Sequence, residues 1–133
     1  MRSPNSMAAV GIGVSNLKRS VDFYTRVLGM KQMQTFKLPH MDEVVVGYEG
    51  RTAVVLMHYT DGSAQHYANN PVKLVFNVAD AHALVAAIRA DGCEITREPA
   101  PVPEFGNTII TLAKDPDGYV IELMQPQTAT AAA

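Results

Sequence analysis

Apolar positions follow two periods along the chain, and the same order of periods occurs twice. In the first half, apolar alternation over residues 10–14 predicts a strand. A helix follows, capped at Ser15-Asn16 and ended by Gly29, and its apolar face is formed by Leu17, Val21, Tyr24 and Leu28. Three further strands are predicted over residues 31–36, 43–48 and 52–59. The first half therefore has the order β-α-β-β-β.

The second half repeats that order. Residues 73–78 predict a strand, and Asp80 predicts the N-cap of a helix that ends at Gly92. The apolar face of this helix is formed by Leu84, Val85 and Ile88. Three more strands are predicted over residues 94–98, 108–113 and 119–124, with an Asp-Pro-Asp-Gly turn at residues 115–118.

Two βαβββ modules predict an α+β fold in which curved mixed sheets form a cup. We expect an N-terminal tail at residues 1–8, a domain at 9–126 and a disordered tail at 127–133. Within the domain, module one covers residues 9–59, a polar linker covers 60–71, and module two covers 72–126. Each sheet has one face under its helix, so the hollow between two open faces, within one chain or across a dimer, is the expected ligand site.

Composition excludes several kinds of partner. The 133 residues carry a formal net charge of -2 and no run of Lys or Arg, so we expect no nucleic acid and no membrane partner. The single cysteine, Cys93, excludes an internal disulfide and is typical of a reducing compartment, so we expect a cytoplasmic protein. An uncovered apolar sheet face or edge favours a homodimer.

Three segments resemble one known family. Residues 20–30, Ser-Val-Asp-Phe-Tyr-Thr-Arg-Val-Leu-Gly-Met, resemble the first-helix signature of glyoxalase I, the lactoylglutathione lyases. Residues 115–123 resemble the final turn and strand of that family, and residues 95–102 are similar to the stretch that enters its late loop. The chain is therefore identified as a member of the glyoxalase/bleomycin resistance/extradiol dioxygenase (vicinal oxygen chelate) superfamily, and the resemblance implies the glyoxalase-like fold. Since this scaffold carries isomerases, epimerases, dioxygenases, thiol transferases and drug-binding proteins, the motifs do not specify a reaction.

The resemblance implies a nickel or zinc ion held by one side chain from each of four strands. The residues at those four positions are Ala9, Leu56, Lys73 and Glu122, and Glu122 alone matches the family. The arginine and asparagine that the family uses to bind glutathione fall on Gly13 and Thr60. Because one donor cannot hold zinc or nickel, we expect no metal ion, no cofactor and no dependence on glutathione.

Strand alternation predicts which side chains face the hollow. Apart from Lys73 and Glu122, these predicted substrate contacts are Ala9, Gly11, Gly13, Val54, Leu56, His58, Val75, Asn77, Val120 and Met124. The first and last strands of a module lie side by side in this fold, so Lys73 is expected to approach Glu122. Two interpretations of that pair stay open. It is a structural ion pair in place of the metal, or Glu122 is a general base while Lys73 stabilises an enolate or oxyanion.

Three functions are compatible with the sequence. The first is an isomerase or lyase that transfers a proton on a small carbonyl compound without a metal. The second is a protein that binds and sequesters an aromatic or antibiotic-like molecule. The third is a metal-dependent glyoxalase or dioxygenase with displaced ligands, for which His58 and Glu122 with His40 or His66 are the available donors.

Overall fold

The computed structural model describes residues 3–127, and within them the chain divides into two compact units. Unit one ends at Ala68 and unit two begins at Asn69. Residues 128–133, for which a disordered tail is predicted, lie outside the described residues, as do residues 1–2 of the predicted N-terminal tail.

Unit one is a four-stranded sheet with one helix. Its elements are β1 (Ala9–Gly13), α1 (Leu17–Asp22) with a π-helical turn (Phe23–Val27), β2 (Lys31–Lys37), β3 (Met41–Gly47) and β4 (Ala53–Tyr59). The strand order is β1-β4-β3-β2, in which β1 and β4 are parallel and the other pairs are antiparallel.

Unit two repeats this arrangement. Its elements are β5 (Lys73–Asn77), α2 (Ala81–Ala90), β6 (Ile95–Val102), a 3-10 turn (Pro103–Phe105), β7 (Thr108–Lys114) and β8 (Val120–Gln125). The strand order is β5-β8-β7-β6, with β5 and β8 parallel. The predicted α+β fold of two βαβββ modules is confirmed.

Strand β6 is longer than the sequence pattern predicts. It continues to Val102 although it contains Pro99 and Pro101, which cannot donate a backbone hydrogen bond. A proline is tolerated at the edge of a sheet, where one side of the strand has no neighbour, and β6 is one of the two edge strands of unit two.

Both helices begin after the predicted caps and are followed by the predicted glycines, although the last turn of the first is π-helical, which the sequence pattern does not predict. The side chain of Asn16 accepts a hydrogen bond from the Arg19 backbone N–H at 3.0 Å, and Asp80 accepts one from Ala83 at 3.0 Å. Gly29 and Gly92, with φ of 76° and 87°, follow the helices in the left-handed conformation that favours glycine. Local sequence therefore determines where each helix lies.

The core of each unit lies between its helix and one face of its sheet, which we call the helix face. In unit one the fully buried side chains include Val14, Phe23, Tyr24, Val46 and Leu56, and in unit two they include Ile88, Ile121 and Leu123. The opposite side of each sheet is its open face. No helix among residues 3–127 is long and apolar enough to cross a membrane.

Tyr48, which follows β3, is hydrogen-bonded to the residue that ends the π-helical turn. Its Oη donates a hydrogen bond to the Leu28 carbonyl oxygen at 2.5 Å, and burial raises the pKa of the phenol. A raised pKa means that the neutral phenol is preferred in the folded state. Its stabilisation is present below the unfolded pKa of about 10 and is lost as pH rises through the folded pKa.

We therefore expect Tyr48→Phe to lower the free energy of unfolding by about 1 kcal/mol at neutral pH, because it removes this hydrogen bond. We also expect the variant to lose less stability than the parent protein between neutral pH and about pH 11, since it lacks the phenol. Urea unfolding at both pH values measures the two effects. Equal alkaline losses in both proteins would contradict the second expectation.

Candidate functional site

The parallel pairing of β5 with β8 brings Lys73 and Glu122 together. Lys73 lies opposite Val120, and Val75 lies opposite Glu122, so all four side chains share the open face of unit two. Lys73 Nζ donates a hydrogen bond to Glu122 Oε1 at 2.9 Å. The predicted contact is confirmed, while the catalytic role of the pair stays a prediction.

The two partners of this ion pair differ in exposure. The Glu122 side chain is 15% exposed, whereas that of Lys73 is 54% exposed. The carboxylate is therefore largely removed from water, while the ammonium group remains accessible. A carboxylate in such surroundings needs a hydrogen-bonding cation, and Lys73 supplies it.

The remaining positions of this open face follow from the strand register. On the β5 side of β8, Asn77 lies opposite Met124. On the β7 side, Leu112 lies opposite Glu122 and Ile110 lies opposite Met124. The predicted positions Val75, Asn77, Val120 and Met124 thus lie on the same face as Glu122, and substrate contact by them stays a prediction. Val75, on the edge strand β5, is 49% exposed, whereas Ile110 on the inner strand β7 is 6% exposed.

Part of β4 lies on the opposite face from the one predicted. In the structure Gly11 lies opposite Val55 and Ile12 lies opposite Leu56. Ile12 and Leu56 are 3% and 0% exposed, so Leu56 is on the helix face. The predicted orientation of Leu56, and of Val54 two residues before it, is wrong. A slip of one residue moves every side chain of a strand to the other face.

His58 is two residues after Leu56 and therefore lies on the same face of β4, so its predicted orientation is also wrong. It lies opposite Asp42, and its Nδ1 donates a hydrogen bond to the Val14 carbonyl oxygen at 2.9 Å. Its ring stacks on Tyr67 with a centroid distance of 5.9 Å and an interplanar angle of 20°. This histidine therefore has structural partners that sequence spacing did not predict.

The three small residues of β1 lie where the sequence predicts them. Ala9, Gly11 and Gly13 alternate with Ile12 on the helix face, so they belong to the open face of unit one. A Cβ atom on Gly11 would come within 3.2 Å of the Met57 side chain. Part of the space above β1 is thus filled by Met57, which lies opposite Gly13.

The repeat corrects one of the four positions that the resemblance assigned to metal ligands. Glu122 is the third residue of β8 and lies opposite the third residue of β5, Val75. The equivalent residue of unit one is Val55, the third of β4, opposite the third residue of β1, Gly11. The same shift of one residue moves the family's asparagine position from Thr60 to Tyr59, which ends β4.

The corrected positions do not fit a zinc or nickel ion. Ala9 and Val55 have alkyl side chains, and the ammonium group of Lys73 is a hydrogen-bond donor that is already bonded to Glu122. Within residues 3–127, no group of three or more His, Cys, Asp or Glu side chains could hold a metal ion. The alternative with displaced ligands from His40 or His66 therefore has no support among the described residues.

The register of β4 can be tested by two adjacent substitutions. We expect Leu56→Glu to lower the free energy of unfolding by about 4 kcal/mol or more, because it buries an unpaired carboxylate under the helix. Val55→Glu, on the open face, should cost about 1 kcal/mol. Chemical denaturation of both variants measures the difference, and a greater loss for Val55→Glu would contradict this register.

Comparison with known proteins identifies relatives over nearly the whole chain. The family model of the Glyoxalase/Bleomycin resistance protein/Dioxygenase superfamily matches residues 6–123. A lactoylglutathione lyase of Shigella flexneri is 37% identical over 134 residues, which cover 97% of this chain and 96% of the relative. The expectation of an enzyme of the glyoxalase family is confirmed at this level, since such relatives are named lyases.

Solved structures show the same fold. The trypanothione-dependent glyoxalase I of Leishmania major superposes with a TM-score of 0.77 at 28% identity, covering 96% of this chain and 91% of that one. An antibiotic binding protein from a Streptomyces species superposes with a TM-score of 0.75 at 21% identity, over 96% of this chain and 100% of that one. The second likeness concerns the fold alone.

Proposed function

Because the chain belongs to the Glyoxalase/Bleomycin resistance protein/Dioxygenase superfamily, we propose that it is an enzyme in which Glu122 transfers a proton on a small carbonyl compound without a metal ion. The reaction is of the isomerase or lyase type and does not use glutathione. The observation that carries this proposal is the 2.9 Å hydrogen bond from Lys73 to Glu122 on the open face of unit two.

Glu122 is the general base of the proposed reaction. It accepts the proton from the carbon next to the carbonyl group, and the electron pair of that C–H bond moves toward the carbonyl oxygen to give an enolate. When that carbon bears a hydroxyl group, the hydroxyl proton moves to the former carbonyl oxygen, the proton on Glu122 returns to the former carbonyl carbon, and the carbonyl group is thereby moved to the neighbouring carbon, which completes an isomerisation. Within residues 3–127, Glu122 receives its hydrogen bond at Oε1, so Oε2 is available to accept the proton.

Lys73 stabilises the enolate oxygen. An ammonium group has three N–H donors, and one of them is used on Glu122, so two remain for a substrate oxygen. A cation held beside the base favours the charge that develops in the transition state. One lysine thus both orients the base and receives the negative charge that the base creates.

The residues at the family's glutathione-binding positions support a substrate without glutathione. Gly13 replaces the arginine that binds the glutathione carboxylate, and the asparagine position falls on Tyr59 in the corrected register. Neither residue supplies a cation for a carboxylate. At these two positions the chain therefore lacks the side chains that the family uses to bind glutathione.

A binding protein is the second candidate function. The open face of unit one is largely apolar, with Val45, Val55 and Met57 beside the glycines of β1. Such a surface suits an aromatic or antibiotic-like ligand without any chemical step. The two functions differ in the role of Glu122: the enzyme needs it as a base for turnover, whereas the binding protein has no chemical step that uses it.

Replacement of the base separates these functions. We expect Glu122→Gln to lower the rate of proton exchange on a substrate by about a hundredfold or more, because the amide cannot accept the proton, while ligand binding stays nearly unchanged. Incorporation of deuterium from heavy water into a panel of small 2-oxo compounds, followed by NMR, measures the rate.

The matched control is Glu104→Gln, which changes an exposed carboxylate in the 3-10 turn and should leave the rate unchanged. The protein is treated with a chelator and then assayed with and without zinc or nickel. Exchange that survives Glu122→Gln, or that requires added metal, would exclude the proposed mechanism. Formation of S-lactoylglutathione from glutathione and a 2-oxoaldehyde would exclude independence from glutathione.

We further propose that the protein is a homodimer. Every residue of the edge strand β2 is exposed, including Met33 and Phe36, and Val75 is half-exposed on the other sheet. Exposed apolar residues on sheet faces and edges favour association with a second copy. Sedimentation equilibrium is expected to give the mass of two 14.4 kDa chains, and a monomer at micromolar concentration would contradict this proposal.

A further inference from the structure

A second lysine flanks the strand that carries Glu122. Lys114 of β7 lies opposite Val120 of β8, and Val120 lies opposite Lys73 of β5. Since neighbouring strands are about 4.8 Å apart, the Cα atoms of the two lysines are about 10 Å apart on one face. Glu122 is the next residue of β8 on that face. A lysine therefore stands on each side of the strand that holds the proposed base.

Arg97 adds a third cation to this face. It lies opposite Leu112 of β7, which in turn lies opposite Glu122. The adjacent residue, Glu98, pairs with Arg89 of α2 and so reaches toward the helix side of the sheet. Although the pairing of β6 with β7 shifts register on both sides of Arg97, directly paired residues of neighbouring strands lie on the same face, so Arg97 shares the open face with Leu112.

Neither of these additional cations is neutralised by a carboxylate of the described chain. Among the ion pairs of residues 3–127, Lys73 has a carboxylate partner in Glu122, but Lys114 and Arg97 have none. The strand positions of this face thus carry three cations and one carboxylate, and Glu94, immediately before β6, adds a second carboxylate opposite Lys114, whose backbone N–H donates a hydrogen bond to the Glu94 carbonyl oxygen; the whole chain, in contrast, has a formal net charge of -2. The positive charge is local to the face that holds the proposed base.

We propose that Lys114 binds an anionic group of the substrate above Val120, so that the substrate is a small carbonyl compound bearing a carboxylate or a phosphate. This inference rests on the proposed function of Glu122. Lys73 is engaged by Glu122, whereas the Lys114 ammonium has no carboxylate partner within residues 3–127 and lies on the strand next to β8, one strand nearer to Glu122 than Arg97. The two lysines also offset the repulsion between the substrate anion and the carboxylate of Glu122.

Three probes that differ in charge test this inference. Pyruvate carries a carboxylate, methyl pyruvate is its neutral ester, and dihydroxyacetone phosphate carries a phosphate. NMR titration of the protein, followed through the valine methyl groups of Val75 and Val120, measures the affinity of each probe for this face. We expect at least one anionic probe to bind about tenfold or more tightly than the ester, with an affinity that falls as salt is added.

The variant Lys114→Met should lower the affinity for the anionic probe by about ten- to a hundredfold and leave the affinity for the ester unchanged. Lys114→Arg should retain most of the affinity because it keeps the charge. The control Lys31→Met removes an exposed lysine from β2 of unit one and should have no effect. Whether the carboxylate or the phosphate binds more tightly identifies the anion.

Two results would overturn the inference. One is that neither anionic probe binds more tightly than the ester. The other is that Lys114→Met lowers the affinity for the ester and for the anionic probe by the same factor. Both are independent of catalysis, since Glu122→Gln should keep the preference for anions. Proton exchange that is absent from the parent protein, or that survives Glu122→Gln, together with an intact role for Lys114 would show that the proposed mechanism, and not the anion site, is wrong.

Discussion

The ion pair between Lys73 and Glu122 is the interaction on which the open face of unit two depends. A carboxylate placed among Val75, Val120 and Leu112 is unfavourable unless a cation bonds to it. Lys73 meets this need at 2.9 Å, but its own side chain is more than half exposed, so the net contribution of the pair to stability is modest. Its main effect is to fix the position of the carboxylate.

The parallel pairing of β5 with β8 makes this contact possible. Lys73 and Glu122 are 49 residues apart in sequence, and only their strands bring them together. The same pairing recurs between β1 and β4 in unit one, where the equivalent positions are Ala9 and Val55. One backbone arrangement thus carries a charged open face in one unit and a largely apolar one in the other.

This difference between the units explains how a chain can keep a family fold while its site changes. The helix faces hold the core, and residues such as Leu56, Ile121 and Leu123 are fully buried there. The open faces contribute less to the core, so their side chains are freer to vary without unfolding the sheet. The positions that the resemblance assigned to metal ligands, with Val55 in the corrected register, all lie on open faces.

Most element boundaries were predictable because they depend on local chemistry. The caps at Asn16 and Asp80 and the left-handed glycines at Gly29 and Gly92 act within one turn of a helix, and the structure places them as predicted. The proline-containing end of β6 was not predicted. Its tolerance depends on its place at the edge of the sheet, which is a property of the assembled strands.

The sequence by itself determined the repeated βαβββ order through its periodicity and the family through its motifs, and the strand order that the resemblance implies predicted the pairing of Lys73 with Glu122. Only the tertiary structure decided that Val55 rather than Leu56 lies on the open face, that His58 bonds to Val14, and that Lys114 lies opposite Val120 on the strand that carries Glu122. In a nearly continuous apolar strand such as β4, alternation does not distinguish the two faces. The register is set instead by hydrogen bonds to neighbouring strands and by packing under the helix.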